Sequence, residues 1–193
     1  PWLWALWCRG VRVFWLGPCA VVGEGCARRV EEFLTQGRAV VLDADALTSF
    51  ADDPEALFAL SRGQRVVMTP HTGEFKRLFP DLTADRSGVV SAADRAGSIV
   101  LLKGRCTRVG IGGDLVSEHN SRGRRDTPWL ATAGSGDVLA GLITGLLARG
   151  LEPFEAAELA VYVHAEAARA FGPGLIAEDL PDLVPVVFQD LGL

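Results

Sequence analysis

An α/β fold with a mainly parallel central sheet is predicted by three apolar runs and by the helical stretches that separate them. Arg38-Ala39-Val40-Val41-Leu42, Arg65-Val66-Val67-Met68 and Ser98-Ile99-Val100-Leu101-Leu102 are nearly continuous in apolar residues, as strands buried on both faces must be. Each run passes directly into polar residues: Asp43-Ala44-Asp45, Thr69-Pro70-His71 and Lys103-Gly104-Arg105. Open α/β sheets bind ligands outside the carboxyl ends of their strands, so these rim residues are the first candidates for a site.

The remaining elements follow in chain order. Residues 11–16 form a first strand entering the Gly17-Pro18 turn, and residues 23–34 form a helix with Val30, Phe33 and Leu34 inward and Gly37 past its end. Asp43 and Asp45 stand either at a ligand site or in a solvent-facing loop where one of them caps the next helix. Asp53-Pro54 opens a short helix by cap-then-proline logic. Pro70 holds Thr69 extended, which presents His71 at the rim before a helix starts near Glu74. Lys103 could neutralise a phosphate, or lie as a surface lysine with its stem on the sheet. Residues 107–120 read as a hairpin closing at Gly112-Gly113-Asp114. Pro153 opens a helix that runs to Arg169 and stops at Gly172-Pro173, and His164 within it is expected to make a structural hydrogen bond. An apolar piece at 184–191 docks on the core.

The organising stretch is Ala131-Thr132-Ala133-Gly134-Ser135-Gly136-Asp137-Val138-Leu139-Ala140-Gly141. Small residues lead into a helix that is apolar nearly all round, to Arg149, with Gly150 as its stop. Such a turn gathers unpaired amide donors and the positive end of the helix dipole, where a phosphate or a developing oxyanion would be held. Asp137, in the first turn, is expected to be ionised by that field and available as a base. The plainer alternative is a loop in which Asp137 caps the helix and the glycines permit close packing.

The chain has 193 residues, 49% of them hydrophobic and 22% charged, enough for one domain with a sizeable core. A net charge of -5 argues against a nucleic-acid partner; the densest basic patch, Arg122-Gly123-Arg124-Arg125, reads as a solvated loop. Cys8, Cys19, Cys26 and Cys106 show no metal-ligand spacing and no disulfide framework, which fits a reducing cytoplasm. No metal-ligating residues are assigned. Four of the five tryptophans lie in residues 1–16, a segment too short and too interrupted by Arg9 and Arg12 to span a bilayer. No membrane partner is expected, whereas aromatics gathered at one end would favour a homo-oligomer unless covered. The chain begins with Pro1 and has Met68 as its one methionine, so a processed or partial chain is expected. The domain reading is an atypical Trp-rich start at 1–16 and a single domain at 17–193.

Four motifs occur in this order: Val41-Leu42-Asp43-Ala44-Asp45-Ala46-Leu47, Met68-Thr69-Pro70-His71-Thr72-Gly73-Glu74-Phe75, Leu102-Lys103-Gly104 followed by Thr107, and the 131–141 stretch. Together they resemble the ADP/ATP-dependent NAD(P)H-hydrate dehydratases, which have a ribokinase-like three-layer α/β/α fold. Phe171-Gly172-Pro173-Gly174-Leu175-Ile176-Ala177-Glu178-Asp179-Leu180 resembles bacterial members. The likeness runs from about Gly17 to the end. It implies repair of hydrated NADH or NADPH: ADP or ATP with Mg2+ phosphorylates the ring hydroxyl, phosphate leaves, and the dihydronicotinamide is restored.

By the same resemblance Asp137 is the catalytic base and also touches substrate. Lys103, Gly104, Arg105, Cys106, Thr107, Gly134, Ser135 and Gly136 contact the adenine nucleotide, and Gly17 and His71 contact the hydrated dinucleotide. The family's Gly-Pro-Gly-x-Gly turn is here Gly17-Pro18-Cys19-Ala20-Val21, so only Gly17 carries over. The family's opening strands and helices find no counterpart before Gly17, which implies an incomplete amino-terminal part. Two other readings stand beside the dehydratase. One is a small-molecule kinase of the same fold, acting on a vitamin precursor or sugar; the other is a catalytically impaired nucleotide-binding remnant.

Overall fold

The computed structural model describes residues 13–18, 21–113, 115–120 and 127–192. The tryptophans of the opening segment up to residue 12, Cys19, Ala20, Asp114 and the basic patch at 122–125 lie outside the described residues.

Six strands form one sheet in the order β1 (Val13–Leu16), β2 (Ala39–Leu42), β3 (Val66–Met68), β4 (Ile99–Leu102), β5 (Cys106–Ile111) and β6 (Leu115–Asn120). The first four are parallel, with Leu16 level with Leu42 and Leu42 level with Met68. β5 and β6 are the expected hairpin, laid antiparallel on β4. Side chains alternate across a strand, so Val40, Leu42, Val66, Met68, Val100 and Leu102 point into one core and Ala39, Val41, Val67, Ile99 and Leu101 into another. Two cores need two helical layers, and the sheet is therefore the middle of a three-layer α/β/α sandwich.

On the first face lie α1 (Glu24–Leu34), α2 (Ala44–Thr48), α3 (Pro54–Ser61), α4 (Thr72–Leu78) and α5 (Arg86–Ala96). Asp53 accepts a hydrogen bond from the Ala56 amide and Pro54 fills the first helical position of α3, as the cap-then-proline sequence predicts. Phe58 stacks on Phe79 with centroids 4.9 Å apart and planes within 6°, and Phe75 tilts against Phe79 at 5.0 Å. On the second face lie α6 (Ser135–Ala148) and α7 (Pro153–Phe171), covered in turn by α8 (Leu180–Asp190). Leu139, Ile143 and Leu147 of α6 interleave with Ala156, Ala157 and Ala160 of α7 over the sheet. The alanines let α7 lie close. Among the described residues no helix is long and apolar enough to cross a membrane.

The parallel strands deliver their carboxyl ends to one rim, and backbone hydrogen bonds continue there past the last sheet residue. The Asp43 amide donates to the Leu16 carbonyl at 2.9 Å, Thr69 to Leu42 at 2.9 Å, and Lys103 to Pro70 at 2.8 Å. His71 and Lys103 are joined by an isolated parallel bridge. Residues that are far apart in sequence are thus fixed side by side before any side chain acts.

Phe58 is fully buried among apolar neighbours, so Phe58→Ala should lower unfolding stability by about 3–5 kcal/mol. Urea denaturation followed by tryptophan fluorescence measures this, with an unchanged slope expected if only the core is lost.

Candidate active site

At the rim the side chains of Asp43, Lys103 and Asp137 meet. Asp43 follows β2 and is 1% exposed; its Oδ1 accepts a hydrogen bond from Lys103 Nζ at 2.6 Å. Asp43 occupies the N-cap position of α2 with extended backbone, yet makes no side-chain cap hydrogen bond. Of the two readings of that acid, the capping one is therefore excluded for Asp43. The next residue, Ala44, takes φ 45°, a left-handed conformation that a side chain disfavours.

Gly17 explains how β1 tolerates Asp43 so close. A Cβ at Gly17 would lie 2.7 Å from the Asp43 carbonyl oxygen and 3.0 Å from its Cβ, so any side chain would push the acid out of place. Gly17 is buried and does not line the large cavity described below.

Lys103 reaches across to the start of α6. A Cβ added at Gly136 would lie 3.5 Å from Lys103 Nζ, so the ammonium rests against the first turn of that helix. The turn depends on Gly134, whose φ of 83° at the N-cap is one an L side chain rarely adopts. The Asp137 and Val138 amides donate to the Gly134 carbonyl at 3.0 and 3.2 Å, whereas the Gly134 and Gly136 amides find no acceptor among the described residues. Ser135 is more committed: its amide makes a 3.4 Å bond to Thr132 and its hydroxyl donates to Leu130 at 2.8 Å. Two of the three expected donors are thus open and the third is engaged locally.

Asp137 differs from expectation in its electrostatics. The helix start was expected to favour its anion, but burial pushes its pKa up, the Asp43 charge pushes it further up, and Lys103 opposes both. Partial removal from water outweighs a dipole that is spread over the first turn. A carboxylate with a raised pKa binds a proton more strongly, which makes Asp137 a better base than an ordinary aspartate.

A cavity of about 880 Å³ opens beside this cluster. His71, Lys103, Gly104, Arg105, Thr107, Ser135 and Gly136 line it, while Asp137, Gly134 and Cys106 do not. Asp137 instead sits toward Asp43. His71 is half exposed and caps α4: its Nδ1 accepts from the Gly73 and Glu74 amides at 2.9 and 3.3 Å, and Glu74 accepts from the His71 amide at 2.8 Å. With Nδ1 occupied by those amides, the other ring nitrogen, Nε2, lies 3.4 Å from Glu74 Oε1, so both nitrogens face the start of α4. Thr107 donates to the Gly104 carbonyl at 3.1 Å and closes the turn after Lys103.

The far wall of the cavity was not anticipated. Glu118 and His119 come from β6, and Tyr162, Glu166 and Arg169 come from α7. The α7 residues share one helical face at spacings of three and four, and that periodicity was the available signal. His164, also on the wall, is buried; its Nε2 lies 3.0 Å from the Ser135 carbonyl, the structural hydrogen bond expected for it. Burial lowers its pKa to about 4. The neutral imidazole therefore donates to the α6 turn from below. Trp129 ties the preceding turn to α7 through Nε1 and the Ala168 carbonyl at 2.8 Å.

Residues 8–183 match the NAD(P)H-hydrate dehydratase family. The chain belongs to that family.

Its curated relatives include the bifunctional NAD(P)H-hydrate repair enzyme Nnr of Salinibacter ruber, 39% identical over 89% of this chain and 32% of the relative. The Moorella thermoacetica Nnr is 37% identical over 94% of this chain and 35% of its own length. The chain thus spans about a third of these relatives. Among solved structures, the ADP/ATP-dependent NAD(P)H-hydrate dehydratase of Bacillus subtilis, co-crystallized with ATP/Mg2+ and soaked with CoA, superposes with a TM-score of 0.76 at 28% identity, covering 93% of this chain and 66% of that one. A ribokinase-like protein of Enterococcus faecalis shares the fold, with a TM-score of 0.77 at 24% identity over 93% of this chain and 63% of its own. The ribokinase-like α/β class predicted from the motifs is the fold the family has.

His164 supplies a pH test of this wall. Its folded pKa of about 4 lies below the ordinary 6.5, so as pH falls from 6.5 the unfolded chain takes up a proton that the folded chain refuses. This contribution to stability is fully present above pH 6.5 and is lost toward pH 4, by about 3 kcal/mol at most. Denaturation of wild type and His164→Gln across that window should show the extra slope in wild type alone.

Proposed function

We propose that this chain carries out the ADP- or ATP-dependent dehydration of hydrated NADH or NADPH, as a cytoplasmic repair enzyme with a small-molecule substrate and with neither nucleic acid nor membrane as partner. The observation that carries the reading is the convergence of a strengthened base, a lysine and two open amides at one helix start, beside a cavity, in a chain of this family.

Asp137 takes the proton from the ring hydroxyl as its oxygen attacks the terminal phosphorus of the nucleotide. The bond from that phosphorus to the bridging oxygen breaks and AMP or ADP leaves. Phosphate then departs from the ring with the carbon–oxygen bonding pair, the neighbouring carbon loses a proton, and the ring double bond is restored. The Gly134 and Gly136 amides face the charge that builds on the transferring group, which a preorganised donor stabilises without reorganising. Lys103, Gly104, Arg105 and Thr107 hold the nucleotide along the cavity, with Cys106 between them at the start of β5. Ser135 acts through its backbone, since its hydroxyl is engaged with Leu130. His71 meets the hydrated dinucleotide from the cavity wall, with Nε2 shared with Glu74 at 3.4 Å, and Gly17 contributes by its lack of a side chain.

Mg2+ supplies charge neutralisation on phosphate oxygens in phosphoryl transfer generally. Among the described residues no group of three His, Cys, Asp or Glu side chains could hold a metal. On that donor set the ion would be carried chiefly by the nucleotide.

The test is recovery of dihydronicotinamide absorbance on incubating the chain with hydrated NADH, ADP or ATP, and Mg2+. Asp137→Asn should cut turnover by about 10²–10⁴-fold, with nucleotide affinity by calorimetry within about twofold of wild type. No recovery together with a stable phosphorylated alcohol would identify a kinase instead. Nucleotide binding without any turnover would identify an inactive remnant.

A further inference from the structure

We propose that Asp43 is a positioning residue of this site: its buried carboxylate holds the Lys103 ammonium against the first turn of α6 and keeps that ammonium from pairing with Asp137. The inference rests on the functional reading above for its consequence in turnover, and on geometry alone for the placement itself.

Four observations aim Asp43 at this task. It stands where an aspartate ordinarily turns its carboxylate back onto the amides of its own helix, and it does not do so. The carboxylate is spent on Lys103 at 2.6 Å instead. The backbone immediately after it is held in a left-handed conformation at a non-glycine residue, Ala44, a strain that persists only where the surroundings over-determine it. Finally, β1 approaches so closely that only glycine fits at position 17, which fixes the acid from its other side.

The consequence is electrostatic. Lys103 has two carboxylates within its field, and the one it pairs with decides how basic the other is. The charged groups that act on Asp137 are Asp43 from the end of β2 and Lys103 from the end of β4. His71, at the end of β3, has its ring engaged with its own helix start, and His164, beneath the Ser135 carbonyl, is neutral. While Asp43 holds the ammonium, the opposing influence of Lys103 on Asp137 is limited. An ammonium released from Asp43 would turn to Asp137 and weaken the base.

The experiment is a carboxyl-carbon NMR titration of Asp137 in the full chain with 13C-labelled aspartate, alongside the pH dependence of kcat/KM. In Asp43→Asn the Asp137 midpoint should fall by roughly one pH unit. The acid limb of kcat/KM should move down by the same amount, and KM for the nucleotide should rise as Lys103 loses its anchor. Loss of the Asp43 charge alone also lowers the midpoint, but equally with and without Lys103, so the substitution is repeated in Lys103→Gln: a fall no larger with Lys103 present than without it, or an unmoved midpoint in folded Asp43→Asn, overturns the proposal. If Asp43→Asn does not fold, the Lys103 ammonium resonance of the wild-type chain answers the same question: it should show a hydrogen-bond correlation to the Asp43 carboxyl carbon and none to that of Asp137, and a correlation to Asp137 overturns the proposal. Should wild type show the NMR behaviour but no turnover of hydrated NADH, the functional reading falls and the placement of Asp43 stands.

Discussion

The ion pair between Asp43 and Lys103 is the constraint on which the arrangement of this site depends. A carboxylate this deeply buried is stable only with a partner, because removal of either member leaves an uncompensated charge away from water. The partner has to come from another strand, since the chain on either side of Asp43 is apolar or turned into α2. Parallel pairing of β2, β3 and β4 brings Lys103 to it, and the rim hydrogen bonds of Asp43, Thr69 and Lys103 set the height of each residue above the sheet. The proposed site and the fold meet in one 2.6 Å contact.

Much of the frame was legible because burial on both faces imposes a simple pattern. Val40 and Leu42 serve one core while Ala39 and Val41 serve the other, so no polar residue is tolerated between them and the strand announces itself. Pro54, Gly150 and the Gly112-Gly113 turn were equally explicit, since each has a conformational reason to stand at a boundary. Other elements gave little signal. The inward face of α5 is Gly88, Val89, Ala92, Ala93 and Ala96, too small to stand out from a loop, and α2 has five residues, too few for a helical period to show.

The places of the candidate residues were legible and their pairings were not. Lys103, His71, Asp137 and the glycine turn each stood at a strand end or a helix start, where chemistry belongs, and the structure brings Lys103 to Asp137. That Asp43 would abandon its own helix for Lys103 is a contact across 60 residues, which no local pattern encodes. The basicity of Asp137 was misjudged for a related reason. The helix dipole can be read from sequence, whereas desolvation and the Asp43 charge exist only after folding. The cavity wall on α7 shows the same limit: Tyr162, Glu166 and Arg169 have helical spacing, but whether that face meets solvent or a cleft is decided by where the β5–β6 hairpin lies.

These charges also bear on how a chain of net charge -5 would receive the anionic substrates proposed for it. Asp43, Lys103 and Asp137 together carry one surplus negative charge when Asp137 is ionised, so the cluster offers an arriving phosphate little net attraction. In the proposed reaction Asp137 gains a proton as phosphoryl transfer begins, and the surplus disappears at the moment charge accumulates on the transferring group. The open amides of Gly134 and Gly136 then face that group without a competing anion beside them. Stabilisation that appears in the transition state and is weak in the ground state is the kind that accelerates a reaction.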